Sequence, residues 1–346
     1  MKERFIAIIA CSIIFVTVLT IAVTTAARSS TRPPQLPSAE GAVTAPPRAV
    51  ATAENNDLPD EAPPVHYRYK RSGSSASPFR NYDVTQAKAL NHNLRQYQFR
   101  AGILIDMTNG KVLWEKNSSV PVPIASLTKL LTIYTAFEEL ERRSELALHS
   151  PVTVSTECTQ AAPVRANLQP GEKVTIHELF IYAMLRSAND AAHLIAEYFG
   201  YGDSRNFIKL MNTKASEIGM KSARFYNANG LPLYGKKPQD TLMNMASCQD
   251  MAMLIERIYD YPMILRYTSC KTKNTRHGNL TNGNRLLGVV KGMEGMKTGY
   301  TNAAGHCLAF SCSRNGRRLI GVVTGFSKRQ NCFDFTSKLL NWGFLQ

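Results

Sequence analysis

The chain has 346 residues, 44% of them hydrophobic and 19% charged, enough apolar content for a globular protein with a substantial core. Its formal net charge of +15 raises the question of nucleic acid. Lysine and arginine are dispersed, however, with no basic block and no zinc-knuckle or helix-turn-helix spacing, so an anionic envelope or membrane surface accounts for the charge better than DNA or RNA does.

At the N-terminus, Lys2 and Arg4 precede an apolar run from Phe5 to about Val23, followed by "TTAARSS". A positive start, an apolar stretch and small residues are the layout of an export signal. Residues 1–27 therefore read as a signal peptide cleaved after Ala27, or as a signal anchor that tethers the protein to the membrane. Cys11 stands in "IIAC", but the apolar run continues past it, which does not suit a lipidation box. Residues 28–85 are rich in Pro, Ala, Ser and Thr and read as a disordered tether. The globular part is then 86–346, exported to the periplasm or the outer face of the cytoplasmic membrane. In that compartment Cys158, Cys248, Cys270, Cys307, Cys312 and Cys332 are permitted to form disulfides, although buried free thiols suit them equally. No Cys-x-x-Cys pair and no histidine spacing suggests a metal.

Along the globular part, "RAGILIDMTNGKVLWEKN" places two apolar-alternating runs around Asn109-Gly110, which predicts a hairpin. "LTKLLTIYTAFEELERR" has apolar residues at helical spacing, as do "TIHELFIYAMLRSANDAAHLIAEYFG" and "CQDMAMLIERIYDY". "HCLAFSCSRNGRRLIGVVTGFS" repeats the hairpin device around Asn315-Gly316, and "CFDFTSKLLNWGFL" closes the chain as a helix. Hairpins at both ends with helices between them predict an α+β domain. One antiparallel sheet is assembled from both termini, with a helical region inserted and helices on both faces.

Three short motifs can carry chemistry. In "PIASLTKLLT", Ser126 and Lys129 stand three residues apart at a helix start, where hydroxyl and amine share a face. A serine there caps helices, but beside an amine kept neutral it is also an activated nucleophile. Ser187-Ala188-Asn189 interrupts two helical runs and reads either as a break with a cap or as a hydroxyl and an amide facing a substrate. Lys297-Thr298-Gly299 offers a cation, a hydroxyl and close backbone approach for a carboxylate. Strand alternation would put Lys297 and Thr298 on opposite faces, so this role requires an edge strand.

Taken together and in this order, Ser-x-x-Lys, Ser-x-Asn and Lys-Thr-Gly resemble the penicillin-binding protein and serine β-lactamase superfamily. "IASLTKLLT", "RSANDAA", "NANGL", "NGNRLLG" and "GMKTGYTNAAGHCL" are similar to the low-molecular-weight D-alanyl-D-alanine carboxypeptidases, the S11 peptidases. The resemblance implies a β-lactamase/transpeptidase-like fold with Ser126 as the acylated nucleophile and Lys129 as its base. It further implies Ser187 as proton shuttle, Asn189 as amide holder, and Lys297 and Thr298, with Gly299, as carboxylate site. The oxyanion hole would be the backbone N–H groups of Ser126 and Tyr300. The implied partners are the peptidoglycan D-Ala-D-Ala stem and β-lactams as covalent inhibitors, with no cofactor. A DD-endopeptidase using the same residues is the nearest alternative, and a non-catalytic wall-binding or β-lactam-sensing module is the other. A β-lactamase fits less well, because no Glu-x-x-Leu-Asn stretch follows the middle motif. The chain stops just after the catalytic region, and its six cysteines lie outside the family pattern.

Overall fold

The structure, a computed structural model, describes residues 58–59, 68–70 and 81–346. The export segment over 1–27 lies outside the described residues. A short helix α1 (His92–Arg95) leads into the hairpin β1 (Ala101–Asp106) and β2 (Lys111–Lys116). The two-residue strand β3 (Val122–Pro123) and a 3₁₀ turn over Ala125–Leu127 then open helix α2 (Thr128–Arg142). The pair β4 (Pro151–Thr153) and β5 (Lys173–Thr175) is followed by α3 (Ile176–Ile181), α4 (Asn189–Phe199) and α5 (Ser204–Ile218). Strand β6 (Met245–Ala246) pairs with β3 and precedes α6 (Cys248–Ile258) and α7 (Pro262–Ser269). A small hairpin, β7 (Thr272–Thr275) and β8 (Gly278–Thr281), leads to the long strands β9 (Met293–Thr301), β10 (Gly305–Arg314) and β11 (Arg317–Phe326) and to the last helix, α8 (Arg329–Phe344).

The sheet runs β2-β1-β11-β10-β9 and is antiparallel throughout. Strand β1 from the front of the domain pairs with β11 from its end, Ala101 opposite Thr324, so both termini build one sheet as the two hairpins foretold. Asn315 and Gly316 both have positive φ, +51° and +78°, the condition for the two-residue turn whose twist suits a hairpin. Alternate residues face two cores. Ile103, Ile105, Ile320 and Val322 join the large core under the helical region, whereas Leu104, Leu319, Val323 and Phe310 pack with Phe335, Leu339 and Leu340 of α8.

The expectation of a disordered tether over 28–85 needs correction where the chain is described. Leu58 and Tyr69 are buried in the large core. The Tyr69 ring meets Phe137 edge to face at 5.5 Å, and its hydroxyl accepts from the Leu148 N–H at 3.1 Å. Lys70 pairs with Glu138 at 3.1 Å, and Lys273 donates to the Leu58 carbonyl at 2.8 Å. Near the end of the same stretch, the buried Tyr82 hydroxyl donates to Glu256 at 2.8 Å. A few apolar anchors suffice to dock a segment whose average composition is polar. The six cysteines among the described residues are buried free thiols. Burial pushes the Cys307 and Cys312 thiols up to about 11, so they act as packing groups rather than nucleophiles. No helix of the described residues is long and apolar enough to cross a membrane.

Candidate active site

The site begins with a strained turn. Ala125 has φ +48°, an uncommon conformation for a residue with a side chain, and it aims the following 3₁₀ turn so that Ser126 opens helix α2. The Gly230 backbone presses on this turn: a Cβ there would lie 2.0 Å from the Ala125 carbonyl oxygen, and φ at Gly230 is +87°. The Thr128 hydroxyl donates to the same carbonyl at 2.7 Å. Asn244 ties the layers together. Its amide donates to Thr128 Oγ1 at 3.0 Å and to the Asn227 carbonyl at 2.9 Å, and its oxygen accepts from the Tyr226 N–H at 2.7 Å.

One turn along α2, the Lys129 amine is wholly buried, not solvated as a surface lysine would be. Its Nζ lies 3.1 Å from Ser126 Oγ, 2.9 Å from Asn189 Oδ1 and 2.7 Å from the Asn229 carbonyl. Burial, and then the charge of Lys297, push its pKa well below the usual lysine value, against a smaller upward pull from Asp190. A neutral amine has two N–H donors and one lone pair. In the neutral form, with the oxygens of Asn189 and Asn229 taking the two donors, the lone pair is what remains for the Ser126 hydroxyl; in the charged form Nζ donates to Ser126 Oγ.

The middle motif sits on a helix break. A π-helical turn over Tyr182–Arg186 ends at Ser187, which is left-handed at φ +64°, and α4 starts at Asn189. The half-buried Ser187 is thereby held between two helices in a conformation that few side-chain-bearing residues adopt. The Asn189 N–H donates to the Val164 carbonyl at 2.7 Å. Asp190, fully buried, accepts from the N–H groups of Ala166 and Asn167 at 2.9 and 3.0 Å, fixing the 162–168 segment against the start of α4.

The third motif lies on β9, which is the edge of the sheet, as a joint role for Lys297 and Thr298 requires. Lys297 is buried, and burial pushes its pKa down to about 7. Its Nζ donates to the Thr298 carbonyl at 3.2 Å. Thr298 is half-buried beneath the 282–284 loop, where Gly283 comes so close that a Cβ would be 2.6 Å from Thr298 Oγ1. At Gly299 a Cβ would lie 3.0 Å from the Ile124 carbonyl and 3.2 Å from the Ser126 nitrogen, so β9 passes directly beside the serine turn. Tyr300, 51% exposed, stacks on His306 with ring centroids 4.3 Å apart. A cleft of about 580 Å³ borders this junction, lined by Val122, Pro123, Met243 and Ala303 among others, but it contains none of the motif residues. The three motifs instead meet between α2, α4 and β9.

The structure thus brings Ser126, Lys129 and Asn189 into direct contact, sets Lys297 within electrostatic reach of Lys129, and runs Gly299 against Ser126. Sequence reasoning missed Asn229, Gly230, Asn244, Asp190 and Gly283. Four of these stand in strings already noted, "NANGL", "RSANDAA" and "NGNRLLG"; Asn244 carried no signal.

A sheet of this topology, with an inserted helical region and a Ser-x-x-Lys helix facing a Lys-Thr-Gly edge strand, defines the transpeptidase/β-lactamase class of fold. Residues 86–328 match the S11 peptidase family model, described as D-alanyl-D-alanine carboxypeptidase, and the chain belongs to that family. D-alanyl-D-alanine carboxypeptidase DacF of Bacillus subtilis is 30% identical over 275 residues, 78% of this chain and 67% of that protein. DacC of Escherichia coli is 34% identical over 255 residues, 71% of this chain and 61% of that protein. A D-alanyl-D-alanine endopeptidase of Pseudomonas aeruginosa is 30% identical over 250 residues, 70% of this chain and 76% of that protein. Penicillin-binding protein D2 of Listeria monocytogenes in its ampicillin-bound form superposes with a TM-score of 0.64 at 31% identity, covering 72% of this chain and 98% of that one.

Proposed function

We propose that the protein is a serine-type D-Ala-D-Ala carboxypeptidase that removes the terminal D-alanine from peptidoglycan pentapeptides through an acyl-enzyme on Ser126. The observation that carries this reading is the Lys129 amine, wholly buried, 3.1 Å from Ser126 Oγ and anchored by Asn189 and Asn229, in surroundings that push its pKa well down.

The steps follow from the geometry. Lys129 takes the Ser126 proton as Oγ attacks the carbonyl carbon between the two D-alanines. The oxyanion forms beside the Ser126 N–H and the Tyr300 N–H, where each donor contributes about 3 kcal/mol to the transition state. Lys297 and Thr298 hold the terminal carboxylate, and Asn189 holds the stem amide. As the tetrahedral species collapses, the C–N bond breaks and the leaving nitrogen receives through Ser187 the proton that Lys129 took, so D-alanine departs as a free amine with its carboxylate ionised and takes a further proton from water. Water then attacks the ester with Lys129 again as base, releasing the shortened stem and restoring Ser126. Nothing in this sequence of steps calls for a cofactor. A β-lactam carries its carboxylate and strained amide in the same arrangement and leaves Ser126 acylated; the ampicillin-bound Listeria relative supports this.

Such a substrate would put the enzyme in the cell envelope, on the periplasmic side or the outer face of the membrane, with the N-terminal segment as either a cleaved export signal or a membrane tether, and no part for nucleic acid. A second reading, DD-endopeptidase, is favoured by the Pseudomonas relative, as similar to this chain as the Bacillus carboxypeptidase is. Incubating the protein with wall pentapeptide and with crosslinked dimers separates the two. D-alanine release faster than dimer loss is the expected result; faster dimer loss selects the endopeptidase, and neither product rejects both.

A further inference from the structure

We infer that Glu157, His193 and Glu197 form a divalent-metal site of zinc-like preference on the flank of α4, separate from the peptidase groove. His193 and Glu197 stand one turn apart on α4, and Glu157 reaches them from the turn before Cys158–Gln160. The three ligand atoms lie within 4.8 Å of one another. His193 Nε2 is 3.2 Å from Glu197 Oε1 and 3.5 Å from Glu157 Oε1. A tetrahedral zinc with ligand bonds of about 2.0–2.2 Å has edges of roughly 3.3–3.5 Å, so the two spacings from His193 are close to those of a coordination shell, and the carboxylates need only a small adjustment to close it.

A second observation points the same way. His193 Nε2 is shielded from solvent, and among the described residues it makes no well-directed hydrogen bond, although both carboxylates are within ion-pair distance. An imidazolium in a plain ion pair would direct its N–H at one oxygen. Here Nε2 has a carboxylate oxygen of each glutamate within 3.5 Å and a well-directed hydrogen bond to neither, a three-ligand arrangement that a cation would bridge. The surroundings are arranged as metal sites are: the Ser155 hydroxyl donates to Glu197 Oε2 at 2.6 Å and itself accepts from the Cys158 N–H at 3.0 Å, fixing the carboxylate's orientation. Glu157 is 75% exposed, which leaves an open side for entry and for a water as fourth ligand.

One imidazole with two carboxylates suits zinc over calcium or magnesium, which take oxygen-only shells. The pair His193 and Glu197 was visible in sequence only as neighbours on a helix; Glu157, far away in the chain, completes the set. A metal here would join the 155–160 turn to the helix whose first residue is Asn189.

The test uses the full-length chain in detergent, titrated with zinc chloride under a metal buffer and compared with magnesium and calcium chloride. One zinc per chain is expected, with magnesium and calcium taken up at least ~tenfold more weakly. Zinc-edge absorption should give one imidazole nitrogen and oxygen ligands at about 2.0–2.2 Å. Glu157→Gln, exposed enough to leave folding intact, and His193→Gln should each weaken zinc binding by at least ~tenfold. Penicillin acylation without zinc should stay at the wild-type rate in both, showing that the variants are folded. No zinc uptake by the wild type, equal uptake of magnesium, or undiminished uptake by Glu157→Gln would each overturn the assignment. None of these readouts depends on which peptide bond the enzyme cleaves.

Discussion

Two buried lysines face the same groove from different architectures. Lys129, on the helical side, has an acceptor or donor for every position on its nitrogen: Ser126, Asn189 and Asn229. Lys297, on the sheet side, donates to the neighbouring Thr298 carbonyl alone among the hydrogen bonds of the described residues, on an edge strand with a hydroxyl and a glycine beside it. Both amines are pushed down by burial, and the charge of Lys297 pushes Lys129 down further. The helical side is complete before substrate arrives, as the base proposed for Lys129 requires. The sheet side is left with donor capacity, as a receptor for an anion must be.

The comparison breaks most severely at the base. Lys129→Ala should lower the acylation rate by about 10²–10⁴-fold, measured by stopped-flow with a chromogenic β-lactam, while leaving carboxylate recognition nearly intact. Next is the turn that carries the serine. Gly230→Ala places a methyl against the Ala125 carbonyl at a position with φ +87°, and should cost roughly 1–3 kcal/mol of stability by thermal denaturation together with a fall in acylation. On the sheet side, Lys297→Met should act chiefly on KM. A lost charge-assisted hydrogen bond of about 1.5–3 kcal/mol corresponds to roughly a tenfold to hundredfold loss of kcat/KM.

The smallest effect is on pH dependence. Lys129 works neutral, so kcat/KM should fall as pH drops through its depressed pKa. Lys297 works charged, so kcat/KM should also fall as pH rises above about 7, the value to which burial pushes it. Substrate carboxylate favours the charged form, so the alkaline limb of kcat should lie at higher pH than that of kcat/KM. Coincident alkaline limbs would remove Lys297 from carboxylate binding. The two amines share one groove, so the limbs belong to the pair, and Lys297→Met is the variant that should abolish the difference.

Much of this was legible in the chain. Asn109-Gly110 and Asn315-Gly316 announced the two hairpins, because each is a local turn preference set between alternating strands. The break at Ser187 was visible for the same local reason. The role of Lys129 as a base was implied by the distant motifs rather than by its own ten residues, and the structure shows its burial. What stayed hidden depends on contacts between segments far apart in the chain. Asn244 reaches Thr128 across 116 positions, and Gly283 covers Thr298 only once the 282–284 loop folds over β9. Leu58 and Tyr69 were lost in the average composition of a polar stretch, since two anchors do not alter it.

The central claim is that Ser126 is the nucleophile made ready by this groove. Its most direct test is covalent labelling of the full-length protein with a fluorescent penicillin, followed by mass mapping of the adduct. A single adduct on the peptide containing Ser126, and none in folded Ser126→Ala, is the result the geometry predicts. An adduct on another residue, or undiminished labelling of Ser126→Ala, would contradict it.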